Sequence, residues 1–349
     1  MKAGQWNGTT KSIEINDVPV PEPAAGQFLI KMHSASLCHS DLMPGGRPEK
    51  PVTMGHEGVG HIAKMHPSAE GKGFSVGDAV GFLPFLDACF ACDACSVHNL
   101  RCERGTTQLQ GWMADGFFAE YVVVSWQNCA KIPPQLDLPR AAPLFCAGVT
   151  AYHAVTGCEL LPGDWLCVVG CGGLGQYATQ FAKAMGYRVV GVDINDDVLA
   201  AVTALGADAV INSKQKKQNK KTTNQTVEDQ IREITGGQDG KGGAHAAAVF
   251  SAATAAYETA IRLLRPGGVL MVIGITDAPL PVTAMDLCTG RYRLKADNTG
   301  IARRMPPVLA FTAQHRIQPA VDFRKLEELP AMVEAMHQGQ ATRRQVVLF

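Results

Sequence analysis

The chain has no net charge: 32 lysines and arginines stand against 32 aspartates and glutamates in 349 residues. A balanced chain offers no global field to draw it to nucleic acid or anionic lipid, so neither is expected as a partner. No apolar run approaches the roughly 18 residues of a membrane span, and the stretch from Met1 to Gly8 has none of signal-peptide length. The expectation is a cytoplasmic protein with no membrane partner. Charged residues are sparse at 18% while apolar residues reach 46%, which excludes a disordered chain. No segment repeats, and the length suggests about two domains at roughly 150 residues each. Cysteine is not scarce. Eleven is an odd number in a chain without an export signal, so metal ligation or plain burial is a better reading than a disulfide framework.

Residues 1 to about 150 are dense in glycine and proline, with short alternating runs at Phe28–Met32 and Tyr121–Val124 that suggest a β-rich, loop-rich domain. The texture then changes. Trp165–Gly170 reads as a buried strand, Leu174–Met185 as a helix, Arg188–Asp193 as a strand, Asp196–Leu205 as a helix and Asp208–Asn212 as a strand. This βαβαβ alternation continues through a helix at Val227–Thr235, a strand at Ala246–Ser251, a helix at Ala255–Leu264 and a strand at Gly268–Ile275, giving a parallel sheet of about six strands. Ser213–Lys221, with five lysines and no apolar residue, reads as a solvated loop or, alternatively, a polybasic patch. From Leu294 onward, helix-like segments such as Leu326–Met336 are expected to rejoin the first domain.

Between the first strand and helix of the alternating region lies Gly170-Cys171-Gly172-Gly173-Leu174-Gly175, a G-x-G-x-x-G followed by Asp193 at the end of the next strand. That is the context a dinucleotide fingerprint demands. Gly170 permits the tight turn, Gly172 lets the backbone approach a pyrophosphate, Gly175 allows close helix packing, and the helix N-terminus offers its N–H groups to phosphates. Asp193 can accept hydrogen bonds from ribose hydroxyls and would repel a 2′-phosphate. The expected cofactor is NAD rather than NADP.

Cys89, Cys92, Cys95 and Cys102 form a C-x2-C-x2-C-x6-C run, close enough to wrap one tetrahedral zinc with no open position. Disulfides across two-residue spacers would be strained, and a nucleic-acid zinc ribbon would bring a more basic surround than Arg101 and Arg104. A second set is dispersed: Cys38 in Cys38-His39-Ser40-Asp41, His56-Glu57 in Gly55–Gly60, and Cys146 in Leu144–Gly148. Spacing alone does not join them.

Taken together, Cys38–Leu42, Gly55–Gly60, the four-cysteine lobe, Leu144–Thr150, Gly170–Gly175 and Ala182–Val190 resemble the zinc-dependent medium-chain alcohol dehydrogenases, particularly the yeast type, and the similarity runs from Ile13 to Val347. The resemblance implies an α/β fold with a β-rich GroES-like catalytic domain at 1–149, carrying a structural zinc lobe at about 87–104. A Rossmann domain with a doubly wound parallel sheet would occupy 150–293, and 294–349 would return to the catalytic domain. It implies two zincs per chain: a catalytic one on Cys38, His56 and Cys146 with its fourth position open, and a structural one on Cys89, Cys92, Cys95 and Cys102. Ser40 would accept the alcohol proton and pass it to a nicotinamide ribose hydroxyl. Asp41 and Glu57 would orient His56 and tune the metal, His39 and Arg344 would reach the cofactor phosphates, and the turn Gly170, Gly172, Gly173, Leu174 and Gly175 with Asp193 would hold NAD. The implied activity is hydride exchange between a primary or secondary alcohol and its aldehyde or ketone, in a homo-oligomer, tetramer or dimer. A polyol dehydrogenase and a non-catalytic zinc-stabilised NAD-binding protein are the alternatives.

Several residues depart from the family. Met43 replaces a histidine that ends the proton relay in many relatives, and methionine carries no proton. The lobe has six residues before its last cysteine where seven are usual, and the Cys38 to His56 segment is short. Pro84 stands where ethanol-preferring members tend to place a pocket tryptophan, so the expected substrate is larger than ethanol, in specialised metabolism. Cys129, Cys158, Cys167, Cys171 and Cys288 are expected to be buried, with Cys171 at a helix N-terminus that could lower its pKa.

Overall fold

The run Trp165–Val169 is buried at every residue and pairs in parallel on both sides, with Arg188–Asp193 and with Ala244–Val249. Such uninterrupted apolar character is what a central strand covered by helices on both faces requires. The computed structural model describes the chain apart from residues 44, 215–216, 220–221, 237–241 and 299, and for 217–219 and 222–224 it describes the backbone alone. The lysine-rich stretch at 213–221 therefore lies largely outside the described residues.

Two compact units emerge, residues 150–298 and residues 1–149 with 299–349. The first is a six-stranded parallel sheet. Its spatial order is Ala209–Asn212, Arg188–Asp193, Trp165–Val169, Ala244–Val249, Leu264–Val272 and Tyr292–Ala296, which is the doubly wound dinucleotide-binding order. Helices Gly173–Ala184, Asp196–Ala204, Val227–Ile234 and Thr254–Leu263 connect the strands. The boundary expected at 293 is corrected here, because it cuts the sixth strand; Leu294 pairs with Leu270, and the unit runs to 298.

The other unit centres on the long strand Gln27–Ser36, which pairs antiparallel with Glu57–Met65, Tyr121–Ser125 and the C-terminal strand Arg344–Leu348. Phe28, Ile30 and Met32 from that strand meet Phe82, Phe117, Phe118 and Leu329 in one apolar core. Cys129, Cys158, Cys167 and Cys171 are buried as expected, whereas Cys288 is exposed, contrary to expectation, because its helix Ala284–Cys288 has no buried residue. No disulfide occurs among the described residues. No helix among them is long and apolar enough to cross a membrane.

Candidate active site and metal centres

Cys38 caps a short 3-10 turn, His39–Leu42, whose Asp41 folds back so that Oδ2 accepts from the Cys38 N–H at 2.9 Å. The other carboxylate oxygen of Asp41 lies 2.7 Å from His56 Nδ1, which leaves Nε2 as the imidazole's free ligand atom. His56 sits at the head of the strand Glu57–Met65. Cys146 comes from a different direction, following the buried segment Ala142–Phe145. The Phe145 ring lies so close over Gly81, on the neighbouring strand Ala79–Phe82, that a β-carbon there would meet it at 1.9 Å. Through these anchors one ligand atom each from Cys38, His56, Glu57 and Cys146 falls within 4.8 Å of the others.

The protonation chemistry fits a cation. A hydrogen bond with Cys146 lowers the Cys38 thiol, while the same bond and burial raise Cys146. Burial disfavours the His56 imidazolium, but Asp41 and then Cys38 outweigh it and raise the group. Glu57 Oε1 is fully buried without a hydrogen-bond partner among the described residues. Two thiols, an imidazole and an orphaned carboxylate oxygen suit a divalent ion, which displaces thiol protons as it binds.

Arg344 requires a correction. Expected at cofactor phosphates, its guanidinium is instead buried, paired through Nη2 with Glu57 Oε2 and bonded to Ser36 Oγ at 3.1 Å. The strand Arg344–Leu348, lying beside Gln27–Ser36, aims it inward, and a phosphate would have to displace a buried carboxylate. Burial raises the Glu57 carboxyl to about 8, with Arg344 pulling the other way. Glu57 thus holds the arginine and reaches the ligand cluster, while the imidazole Nδ1 is held by Asp41. His39 is exposed, Ser40 is half-buried with Oγ 3.9 Å from Cys38 Sγ, and Met43 is exposed.

The second cluster is built locally. Cys89 and Cys95 sulfurs lie 3.9 Å apart, and all four sulfurs lie within 4.8 Å of one another. A tetrahedron with zinc–sulfur bonds of about 2.3 Å has edges of about 3.8 Å. Backbone N–H groups of Cys92, Cys89 and Glu103 point at the sulfurs of Cys89, Cys102 and Cys92, at 3.3, 3.3 and 3.5 Å. Donors of this kind favour thiolates: the N–H of Cys89 draws the Cys102 thiol down to about 6, although burial pushes Cys95 up to about 12. With six residues before Cys102 the fourth sulfur still joins the cluster.

In the other unit, Gly170 has φ 93°, a conformation costly for any residue with a side chain. A β-carbon on Gly175 would meet Gly170 O at 2.1 Å, whereas one on Gly172 would meet nothing within 4 Å. The turn therefore packs Gly175 tightly and leaves space at Gly172, just before the helix Gly173–Ala184, whose first residues Gly173 and Leu174 are half-buried. Asp193 accepts from Cys171 N at 2.7 Å, Ile194 N at 2.7 Å and Asn195 N at 3.0 Å. Its carboxylate is held at the end of the strand beside the turn. The expectation of an activated Cys171 is corrected, since the helix begins two residues later and burial, reinforced by Asp193, raises the thiol.

Sequence reasoning missed Trp112 and Arg47. The Trp112 ring lies 5.0 Å from the His56 ring, and Pro84, itself buried, accepts from Gln110 N two residues before it. An aromatic ring thus stands beside the metal ligands although position 84 holds proline.

Comparison with known proteins accords with this architecture. Residues 24–134 match the alcohol dehydrogenase GroES-like domain and residues 173–314 the zinc-binding dehydrogenase domain. An alcohol dehydrogenase of Geobacillus stearothermophilus is 35% identical over 99% of this chain and 98% of its own. The chain belongs to the zinc-binding alcohol dehydrogenase family. Among solved structures, the alcohol dehydrogenase of the hyperthermophilic archaeon Aeropyrum pernix superposes with a TM-score of 0.86 at 27% identity, covering both chains completely. A structure of an NAD-dependent alcohol dehydrogenase follows at 0.84 and 25%, again over the whole of both chains.

Proposed function

We propose that the protein interconverts a primary or secondary alcohol and its aldehyde or ketone, with zinc at Cys38, His56 and Cys146 and with NAD as hydride carrier. The observation that carries this reading is the cluster itself: two sulfurs, an imidazole nitrogen and a Glu57 carboxylate oxygen lie within 4.8 Å of one another. When bound, zinc supplies Lewis acidity that makes an alcohol hydroxyl easier to deprotonate, and NAD supplies the hydride acceptor. The chain's own residues do the rest. Asp41 fixes the imidazole edge, so Nε2 keeps its aim. Arg344 balances the charge of Glu57. Ser40 Oγ would accept the hydroxyl proton while releasing its own to solvent water, since Met43 carries no proton. Zinc at Cys89, Cys92, Cys95 and Cys102 would hold the lobe's fold.

The glycine turn and Asp193 would hold NAD. Replacing Asp193 with Gly should remove an anchor for the ribose hydroxyls and the repulsion of a 2′-phosphate, so kcat/KM with NAD falls and the preference over NADP narrows. A wild-type enzyme with the higher kcat/KM on NADP would refute this role.

Resemblance at Pro84 favours a substrate larger than ethanol, although Trp112, 5.0 Å from the His56 ring, takes back part of the room the missing aromatic would leave; each methylene the pocket does receive contributes about 0.8 kcal/mol. A panel of ethanol, hexanol and benzyl alcohol, read by NADH absorbance, should show kcat/KM for the larger alcohols exceeding that for ethanol by about tenfold, the equivalent of two buried methylenes. Ethanol as the best substrate would remove the size argument, and no turnover of any alcohol would remove the function. The exposed Leu294 on the edge strand Tyr292–Ala296 and the exposed Met285 nearby favour a homo-oligomer, dimer or tetramer. A solution mass of one 37.2 kDa chain would overturn it. The free thiols favour a reducing compartment, the cytoplasm.

A further inference from the structure

Arg47 lies in the short segment between Cys38 and His56. Its guanidinium spends three of five N–H donors on main-chain carbonyls: Nη2 to Asp41 O at 2.7 Å, Nη1 to Met43 O at 3.2 Å and Nε to Gly111 O at 3.1 Å. The first two belong to the turn that carries Cys38, Ser40 and Asp41; the third belongs to the loop that carries Trp112. The same guanidinium lies over two indoles, 5.4 Å from the Trp112 ring and 5.9 Å from the Trp6 ring.

Trp112, in turn, packs its ring 5.0 Å from His56, whose Nδ1 is fixed by Asp41. The imidazole is therefore restrained along its edge by Asp41 and beside its ring by Trp112, and Arg47 binds the backbone of both restraints. From this geometry we propose that Arg47 is a positioning residue for the metal ligand His56, joining the ligand-bearing turn to the indole that packs on the imidazole. A planar fork is needed because the three carbonyls come from two separate loops; an ammonium is a point donor on a flexible stem and cannot span them while stacking on indoles. The role rests on the reading of Cys38, His56 and Cys146 as zinc ligands.

Zinc release from the full-length holoenzyme to a colorimetric chelator tests it, alongside thermal unfolding. Wild type should release two zincs per chain in two resolved phases. In Arg47→Gln the phase assigned to Cys38, His56 and Cys146, identified by its absence in Cys146→Ser, should quicken by about tenfold or more, the scale of effect known for groups that orient metal ligands. The four-cysteine phase should keep its rate. Arg47→Lys should behave like Arg47→Gln, and Trp112→Ala should quicken the same phase alone. Equal rates in wild type and Arg47→Gln would overturn the proposal, as would parallel acceleration of both phases with a lowered unfolding midpoint, the mark of general destabilisation. A wild-type chain that holds only the four-cysteine zinc would overturn the reading of the catalytic centre and, with it, this role, an outcome distinct from two zincs with unchanged rates.

Discussion

Replacing Cys146 with serine is expected to abolish one zinc per chain and cut alcohol oxidation by about a thousandfold, while the unfolding midpoint stays near that of the parent. Lewis-acid stabilisation is worth several kcal/mol of barrier, and about 1.4 kcal/mol is a factor of ten in rate. Cys146 contributes to no local scaffold comparable to the four-cysteine lobe, so its loss is a loss of chemistry. Cys95→Ser should do the reverse. In the lobe the sulfurs gather backbone N–H donors within a single loop, and its apolar cluster consists of little beyond Ala88, Phe90 and the cysteines themselves. With so small a core the metal supplies the folding free energy of the segment. The expected result for Cys95→Ser is one zinc lost, reduced solubility and a lower midpoint. Elemental analysis settles the assignment: if pure, active wild type holds one zinc or none, the two-site reading is wrong.

Arg344→Met should be the most destabilising change outside the metal ligands. The guanidinium is buried against a carboxyl with no exposure, and removing it leaves Glu57 without its partner in the core, a cost of about 3 to 5 kcal/mol for breaking such a pair. For a chain of this size that lowers the midpoint by roughly 5 °C. Three of the four tryptophans, Trp6, Trp112 and Trp126, lie in the unit that carries the pair, so their emission follows its unfolding. The double variant Glu57→Gln with Arg344→Met should recover part of the loss, because the unpaired charge is gone. An unchanged midpoint in Arg344→Met would show that the pair carries no weight in the folded state.

Which features were legible from sequence follows from how far apart in the chain their parts lie. The lobe's ligands span residues 89 to 102, and short spacers force four sulfurs together whatever the rest of the chain does. The glycine turn was readable for the same reason: one strand, one turn and one helix contain it, and Asp193 follows at the end of the adjacent strand. Period and composition likewise marked the alternating strands and helices of the parallel sheet, though the edge strand Tyr292–Ala296, which is largely exposed, carried too weak an apolar signal and blurred the boundary. The second ligand cluster is of another kind. Cys38, His56 and Cys146 are joined by sheet pairing and by the seating of Phe145 over Gly81, and nothing in their spacing implies it; resemblance alone suggested the set. Arg344 shows the limit most plainly, for 287 residues separate it from Glu57. A motif says that an arginine stands near the end of the chain, but only the pairing of the strand Arg344–Leu348 with Gln27–Ser36 decides that its side chain turns into the core toward a carboxylate. Trp112 and Arg47 had no local signature either, because stacking on an imidazole and bridging three carbonyls are properties of loops brought together by the fold.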